Sequence, residues 1–249
     1  MPMTPALTAM LLLTMVGTSL LSGVFGMAGG LVLVGVLLVL MPVQDAMALH
    51  AVTQISSNGW RAVLWWRHIR PMPVVAHAVG CVLALGAWSL VLLVPQRGVA
   101  LLLLGLSPFI AQALPPRIRP NPEKPLHGMI VGAVSMTLMV LTGVSGPLLD
   151  RHFLGGRLDR REIVATKAAC QAIGHSLKLV YFGALVVDAG RVDPWLGAMA
   201  VLASMTGTML AKRVLEAMTD ASYRLWAGRI VTVLGVFYIG QGGWLLLTE

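Results

Sequence analysis

The chain has 249 residues, of which 57% are hydrophobic and only 11% are charged, and its mean hydropathy is +0.83. Soluble domains are about 45–50% apolar and about 25% charged, so this composition excludes an ordinary soluble domain and predicts an integral membrane protein. Two cysteines within apolar runs exclude a disulfide framework and a cysteine metal cluster. Most of the Lys and Arg behind the net charge of +8 flank apolar segments, which excludes nucleic acid as a partner and indicates a lipid bilayer.

The first apolar stretch, residues 6–41, has no Lys or Arg ahead of it and is predicted to remain in the mature protein. A glycine-rich turn at 22–30 interrupts it, and a second turn at 142–147 interrupts residues 127–155 in the same way. Because a span needs about 20 apolar residues, the short piece after each turn predicts a broken or a re-entrant helix, and the sequence leaves both open. Uninterrupted spans are predicted at 46–66, 73–94, 97–114, 162–187, 194–212 and 225–247.

The distribution of Lys and Arg predicts the orientation of these segments. Cytoplasmic loops are enriched in basic residues, and the loops at 42–44, 95–97 and 188–193 carry only two Arg and two Asp between them. Assigning the other, basic connections to the cytoplasm puts both termini outside a bacterial cytoplasmic membrane. The basic residues are Arg67, Arg70, Arg117, Arg119, Lys124, Arg151, Arg157, Arg160, Arg161, Lys212 and Arg213.

The two halves of the chain match each other at an offset of 117 residues. Each half has five segments, so the second copy enters the membrane from the opposite side, as in the inverted repeats of many secondary transporters. The predicted fold is all-α and polytopic, with up to ten segments, a first repeat at 1–114, a cytoplasmic linker at 115–126 and a second repeat at 127–249. The matched pairs include Gly26 with Gly143, Gly29 with Gly146, His50 with Lys167, Gln54 with Gln171, Asn58 with His175 and Arg61 with Lys178.

The glycine turns and the Ala-rich polar helices carry a family resemblance. The turns read Gly26-Met27-Ala28-Gly29-Gly30 and Gly143-Val144-Ser145-Gly146-Pro147, and the second polar helix contains Val164-Ala165-Thr166-Lys167-Ala168-Ala169-Cys170-Gln171. Over essentially its whole length the chain resembles the sulfite exporter TauE/SafE family, also called the toluene sulfonate uptake permease family. The resemblance implies transport of a small sulfur-containing anion such as sulfite, thiosulfate or an organosulfonate. Many members have three consecutive glycines, where this chain has Ala28, Ser145 and Pro147.

The polar residues of each half lie on one stripe of a helix, because they recur at steps of three and four. At 1.5 Å per residue, the Gln and the Asn or His of each stripe lie near the middle of the span, with a base toward either face. Within the stripes the only acids are Asp45 and Glu162, at the helix ends, so an anion is the expected partner of the bases. The stripes contain His50, Gln54, Asn58 and Arg61 in the first half and Lys167, Gln171, His175 and Lys178 in the second.

Each glycine turn is predicted to end at the start of a short helix, whose free N–H groups and positive dipole end favour an anion. Glycine also lets the backbone approach a ligand closely. Two such helix starts at mid-depth would bind a small oxyanion without a fixed positive charge. The substrate-binding residues predicted from turns and stripes together are Gly26, Gly29, Gly30, Gln54, Asn58, Thr142, Gly143, Ser145, Gly146, Gln171 and His175, with His50, Arg61, Lys167 and Lys178 along the pathway.

Each residue also has a structural interpretation. The glycines could serve close helix packing, the two glutamines could bond to each other, and His175 could be a buried structural histidine. Arg61 and Lys178 could extend toward the interface, and His50 could be exposed at the outer mouth. A group of Trp at 60, 65 and 66 is typical of an interfacial belt.

The main functional hypothesis is secondary transport by alternating access, with protons as a candidate coupling ion through His50 or His175. A passive anion channel is the first alternative. An intramembrane enzyme with Ser145 as nucleophile and His175 as base is the second, although the Gly-x-Ser-x-Gly spacing is missing. The sequence predicts no metal and no cofactor, contains no Walker motif, and is compatible with a homodimer without requiring one.

Overall fold

A computed structural model describes residues 4–25, 28–113, 120–186, 188, 190, 192–217 and 220–248. Over these residues the chain forms ten α-helices and no strands. The predicted broken pairs are confirmed as separate helices, since α1 is followed directly by the short α2, and α6 by the short α7. The helices are α1 Pro5–Phe25, α2 Ala28–Leu40, α3 Val43–Leu64, α4 Pro71–Val91, α5 Arg97–Ala113, α6 Pro125–Thr142, α7 Gly146–Phe153, α8 Arg160–Val180, α9 Pro194–Ala217 and α10 Asp220–Thr248.

The protein is a multi-pass membrane protein. Within the described residues, five helical stretches are long and apolar enough to cross a bilayer, at 5–25, 71–91, 125–142, 194–211 and 228–248. Large apolar side chains such as Leu83 and Leu90 of α4 are exposed, as expected where a helix faces lipid. The polar helices α3 and α8 are instead enclosed by the others, because polar groups in a membrane need protein partners.

Helix packing follows the offset between the two halves. In the first half α1 packs chiefly on α9, and the corresponding helices α6 and α4 pack on each other in the same way. The polar helices α3 and α8 pack together, as do α5 and α10. The offset exchanges the members of these pairs, which is the arrangement expected of an inverted repeat. The limits at 114 and 126 stay a prediction, and residues 114–119 of the linker lie outside the described part.

Many glycines serve helix packing rather than a ligand. A Cβ on Gly80 of α4 would collide with the Met129 carbonyl oxygen of α6, and a Cβ on Gly132 of α6 would collide with the His77 carbonyl oxygen of α4. Such contacts let two backbones approach closely, which is the usual role of small residues between membrane helices.

The hydrogen bonds in the first turn of α8 show that Glu162, one of the two acids at the ends of the polar stripes, has a structural role. Asp159 caps the helix by accepting hydrogen bonds from the Arg161 and Glu162 N–H groups at 2.7 and 2.9 Å, and Glu162 accepts one from the Asp159 N–H at 3.1 Å. The N–H of Glu162, followed by that of Arg161, lowers the pKa of the exposed Asp159 carboxyl. Glu162 also pairs with Arg70, whose Nε donates to it at 2.7 Å, so this acid ties α8 to the chain between α3 and α4.

Candidate functional site

The short helices α2 and α7 begin close to each other, beside the middle of the polar helices α3 and α8. Between them lies a central cavity, enclosed by the first turns of α2 and α7 and by the facing stripes of α3 and α8. Six of the residues predicted to bind substrate line it, together with three that were not predicted. The lining residues are Gly30, Leu31, Gln54, Val144, Ser145, Gly146, Pro147, Gln171 and His175.

The helix α3 forms the first wall of the central cavity. A chain of hydrogen bonds along it fixes which atom of the Gln54 amide is a free donor. Arg61 Nη1 donates to Asn58 Oδ1 at 3.4 Å, and Asn58 Nδ2 donates to the Gln54 main-chain oxygen at 2.9 Å and to Gln54 Oε1 at 3.2 Å. Because a guanidinium has donors only, it determines the orientation of the Asn58 amide, which in turn uses the oxygen of the Gln54 amide. Gln54 Nε2, a donor, is then left without a hydrogen-bond partner in the described part of the chain.

The second wall of the central cavity is formed by α8 and the start of α7. Its polar side chains have unpaired atoms that no chain of hydrogen bonds orients in the described structure. Gln171 and His175 of α8 are 5% and 2% exposed, and Gln171 Oε1 and His175 Nδ1 make no hydrogen bond with any described residue. Ser145 Oγ, at the start of α7, is also buried and unpaired over the same residues. A buried polar atom without a partner costs free energy, so each of these groups is expected to meet a ligand or water.

The turn before α7 is built by residues that stay outside the central cavity. Gly143 ends α6 with a φ of +86°, a conformation that favours glycine, and its N–H donates to the Met139 carbonyl oxygen at 3.1 Å. Thr142 Oγ1 donates to the Leu138 and Val144 carbonyl oxygens at 2.9 and 3.0 Å. Thr142 and Gly143, both predicted to contact substrate, therefore shape the turn instead of lining the cavity.

The corresponding turn of the first half is described only from Ala28 onward, and Gly26 lies outside the described residues. Gly30 faces the central cavity, where a Cβ would lie 3.5 Å from Gln54 Oε1. Gly29 points the other way, and a Cβ there would collide with the Thr18 carbonyl oxygen of α1. Gly29 therefore has a packing role and is not among the lining residues, and its predicted contact with substrate stays a prediction.

Lys178 and His50 form a cross-repeat bridge behind the second wall. Lys178 Nζ lies 2.7 Å from His50 Nδ1 and donates to the Gly143 carbonyl oxygen at 3.0 Å, while His50 Nε2 lies 3.1 Å from the Gly30 carbonyl oxygen. Because the Gly30 carbonyl oxygen can only accept, His50 donates from Nε2, and the Nδ1 of the neutral ring accepts from Lys178. Both side chains are fully buried, so the alternatives of an exposed His50 and an interfacial Lys178 are wrong.

The other buried lysine has an acidic partner that the sequence interpretation missed. Lys167 of α8 pairs with Asp150 of α7, which lies outside the two stripes. The expectation that a bound anion is the partner of each of these bases is therefore wrong for Lys167, whose charge is compensated by Asp150. Lys178, by contrast, has the neutral partners of the cross-repeat bridge and no acid within the described residues. Arg61 is 8% exposed, which excludes an extended interfacial side chain.

Comparison with known protein families shows which family this chain belongs to. The model of the sulfite exporter TauE/SafE family matches residues 10–238. The chain belongs to the TauE/SafE family. Compared with curated proteins and with solved structures, it matches none. TauE/SafE proteins are sulfite exporters, and the enclosed polar site between membrane helices is consistent with transport of a small anion.

In this TauE/SafE protein the two residues of the enzyme alternative are not hydrogen-bonded to each other within the described chain. Ser145 and His175 both line the central cavity, but neither Ser145 Oγ nor His175 Nδ1 makes a hydrogen bond within the described chain, so no nucleophile–base pair is formed. The described residues also contain no group of His, Cys, Asp or Glu that could hold a metal ion.

Four residues escaped sequence reasoning for identifiable reasons. Leu31, Val144 and Pro147 line the central cavity through their position beside the glycine turns, a place that residue chemistry alone does not mark. Asp150 lies in the first two turns of α7, and at the repeat offset its counterpart is Leu33. A search restricted to positions that are polar in both halves could not find it.

Proposed function

We propose that this protein is a secondary transporter that moves a small sulfur-containing anion, such as sulfite, thiosulfate or an organosulfonate, by alternating access. The observation that carries the proposal is the pair of buried, unpaired donors at the central cavity, Gln54 Nε2 and Ser145 Oγ in the described chain. Beside them lie the Gln171 amide, which presents N–H groups when its oxygen and nitrogen are exchanged, and the His175 ring, which donates from Nδ1 when that atom carries a proton. Two helix starts converge on the same space, and their first N–H groups have no partner within the helix.

The chemistry of the lining favours an anion with several oxygen atoms. Gln54 presents N–H donors, Ser145 presents a hydroxyl, and the starts of α2 and α7 present backbone N–H groups. The buried amino group of Lys178 lies behind the second wall and supplies positive charge there when it is protonated. In this proposal Gly30, Gln54, Ser145, Gly146, Gln171 and His175 contact the anion, while Asn58, Thr142 and Gly143 position the contacting groups.

Enclosure of the site supports alternating access over a passive channel. The polar residues that line the central cavity are at most 5% exposed, as expected of a site that is reached only when the protein opens. His50, Arg61, Lys167 and Lys178 are buried around the site and are proposed to open and close the route to it. The proposed orientation has both termini outside a bacterial cytoplasmic membrane, because the basic connections then lie in the cytoplasm.

The test is thermal stabilisation of the purified protein by sulfite, thiosulfate, sulfate, sulfoacetate, taurine, phosphate and acetate. A ligand at about 100 times its Kd stabilises the folded state by about 2.7 kcal/mol. We expect a selective shift with one of the sulfur anions, reduced in Gln54→Ala and retained in Gln96→Ala, a matched exchange at an exposed position between α4 and α5. Equal shifts with every anion, or none with any, would contradict the proposal.

A further inference from the structure

We infer that His175 takes up a proton when the anion enters the central cavity, so that the transporter carries a proton and an anion in one step. This inference rests on the proposed function. It starts from two imidazole rings in contact, those of His50 and His175, whose centroids are 5.4 Å apart with an interplanar angle of 65°. Only one of these rings faces the central cavity, and it belongs to His175.

The cross-repeat bridge excludes His50 as the group that gains the proton. Its Nδ1 accepts from Lys178 at 2.7 Å, and its Nε2 donates to the Gly30 carbonyl oxygen at 3.1 Å. A proton on Nδ1 would occupy the lone pair that accepts the hydrogen bond from Lys178, and the bridge would break. His175 Nδ1 has no such engagement within the described residues and lies beside the space for the anion.

The charges around His175 differ between an empty and an occupied cavity. On its own helix, Lys178 is one turn away, and the Lys167–Asp150 pair is about 12 Å along the axis. The facing residue of α3 is His50, His77 of α4 approaches the neighbouring Gly174, and the lining residues of α2 and α7 carry no charge. With the cavity empty, a protonated Lys178 therefore opposes a second positive charge at this depth.

An anion in the central cavity reverses this balance. Its negative charge compensates Lys178 and favours a protonated His175, whose Nδ1–H then donates to the anion. The proton comes from a hydronium ion of the solvent: one O–H bond breaks as the N–H bond forms, and a water molecule is left. Because linkage is reciprocal, protonation of His175 in turn strengthens anion binding. Each ligand thus strengthens the binding of the other, which coupled transport of the two requires.

The test is titration calorimetry with sulfite in buffers of different ionisation enthalpy, which gives the number of protons taken up on binding. Wild type is compared with His175→Asn, which introduces the residue found at the matching position of the first half, and with His127→Asn. His127 is the matched control because it receives a hydrogen bond from the Asn121 N–H at 3.0 Å, outside the central cavity. Protons carried by sulfite itself are common to all three proteins and cancel in the comparison.

We expect less proton uptake in His175→Asn than in wild type and His127→Asn, and a loss of the protein's share of the pH dependence. That share approaches about tenfold in Kd per pH unit where uptake is complete. A second variant, Lys178→Met, keeps His175 and is expected to move the midpoint of the pH dependence upward. Equal uptake in wild type and His175→Asn, or an unmoved midpoint in Lys178→Met, would overturn the inference. Failure of wild type to bind any sulfur anion would instead overturn the proposed function itself.

Discussion

The helices α3 and α8 occupy matching positions in the two repeats, but their polar side chains are connected differently. On α3, Arg61, Asn58 and Gln54 form one chain of hydrogen bonds that ends at the central cavity. On α8, Lys178 bonds to His50 of the other repeat, and His175 and Gln171 keep unpaired atoms within the described structure. The first wall therefore offers a donor of fixed orientation, whereas the polar groups of the second wall are free to reorient. The two helices differ in this way although their sequences match at the offset of 117 residues.

The largest expected effect distinguishes two neighbouring glycines at the start of α2. Gly29→Ala should destabilise the protein by about 3 kcal/mol or more, because the added Cβ collides with the backbone of α1. Gly30→Ala should leave the fold intact and weaken anion binding, because its Cβ has ordinary contacts and narrows the cavity. Thermal unfolding and sulfite titration of the two variants measure the difference, and equal stabilities would refute it.

A second prediction compares the two buried lysines of α8. Asp150→Asn leaves Lys167 without its acid and should cost about 3 kcal/mol of stability. Lys178→Met removes a buried amino group that has only neutral partners among the described residues and should cost less than about 1 kcal/mol. Chemical denaturation of the purified variants tests this order, which a greater loss in Lys178→Met would reverse.

A third prediction concerns the two glutamines. Gln54→Ala should weaken sulfite binding by about 10- to 100-fold, since a hydrogen bond to a charged group contributes about 1.5–3 kcal/mol. Gln171→Ala should weaken it less, because neighbouring groups of the second wall have unpaired atoms within the described chain and can adjust. Calorimetric Kd values decide the order, and a larger loss in Gln171→Ala would contradict the assignment of the fixed donor to the first wall.

The smallest effect is expected at the helix starts. Asp159→Ala removes the cap of α8 and should lower the Tm slightly without changing anion affinity, whereas α3 begins after Pro42 with no side-chain cap. Because the pKa of Asp159 is lowered in the folded state, the stabilisation is present above its ordinary pKa and is lost as the pH falls through the lowered one. Thermal melts in acid and at neutral pH check this, and a changed sulfite Kd would contradict it.

The sequence predicted the helical order well, because spans, turns and the offset are properties of local pattern. It also predicted that Gly30, Gln54, Ser145 and His175 would meet, since the glycine turns and the centres of the two stripes were all expected near the middle of the membrane. It could not predict which direction Gly29 points or which partner Lys178 finds, because these depend on the packing of helices distant in the chain. The acid Asp150 was missed because its counterpart in the first half is the apolar Leu33, so no polar residue recurs at this position.

The measurement that tests the central claim most directly is a double-mutant cycle on sulfite affinity with Gln54→Ala, Asn58→Leu and the double variant. If Asn58 acts through Gln54, the single variants each weaken binding and the double variant is no weaker than Gln54→Ala alone. Arg61, Asn58 and Gln54 then form one device that presents a donor to the anion. Additive losses would contradict this, since they would mean that Asn58 contributes to anion binding independently of Gln54.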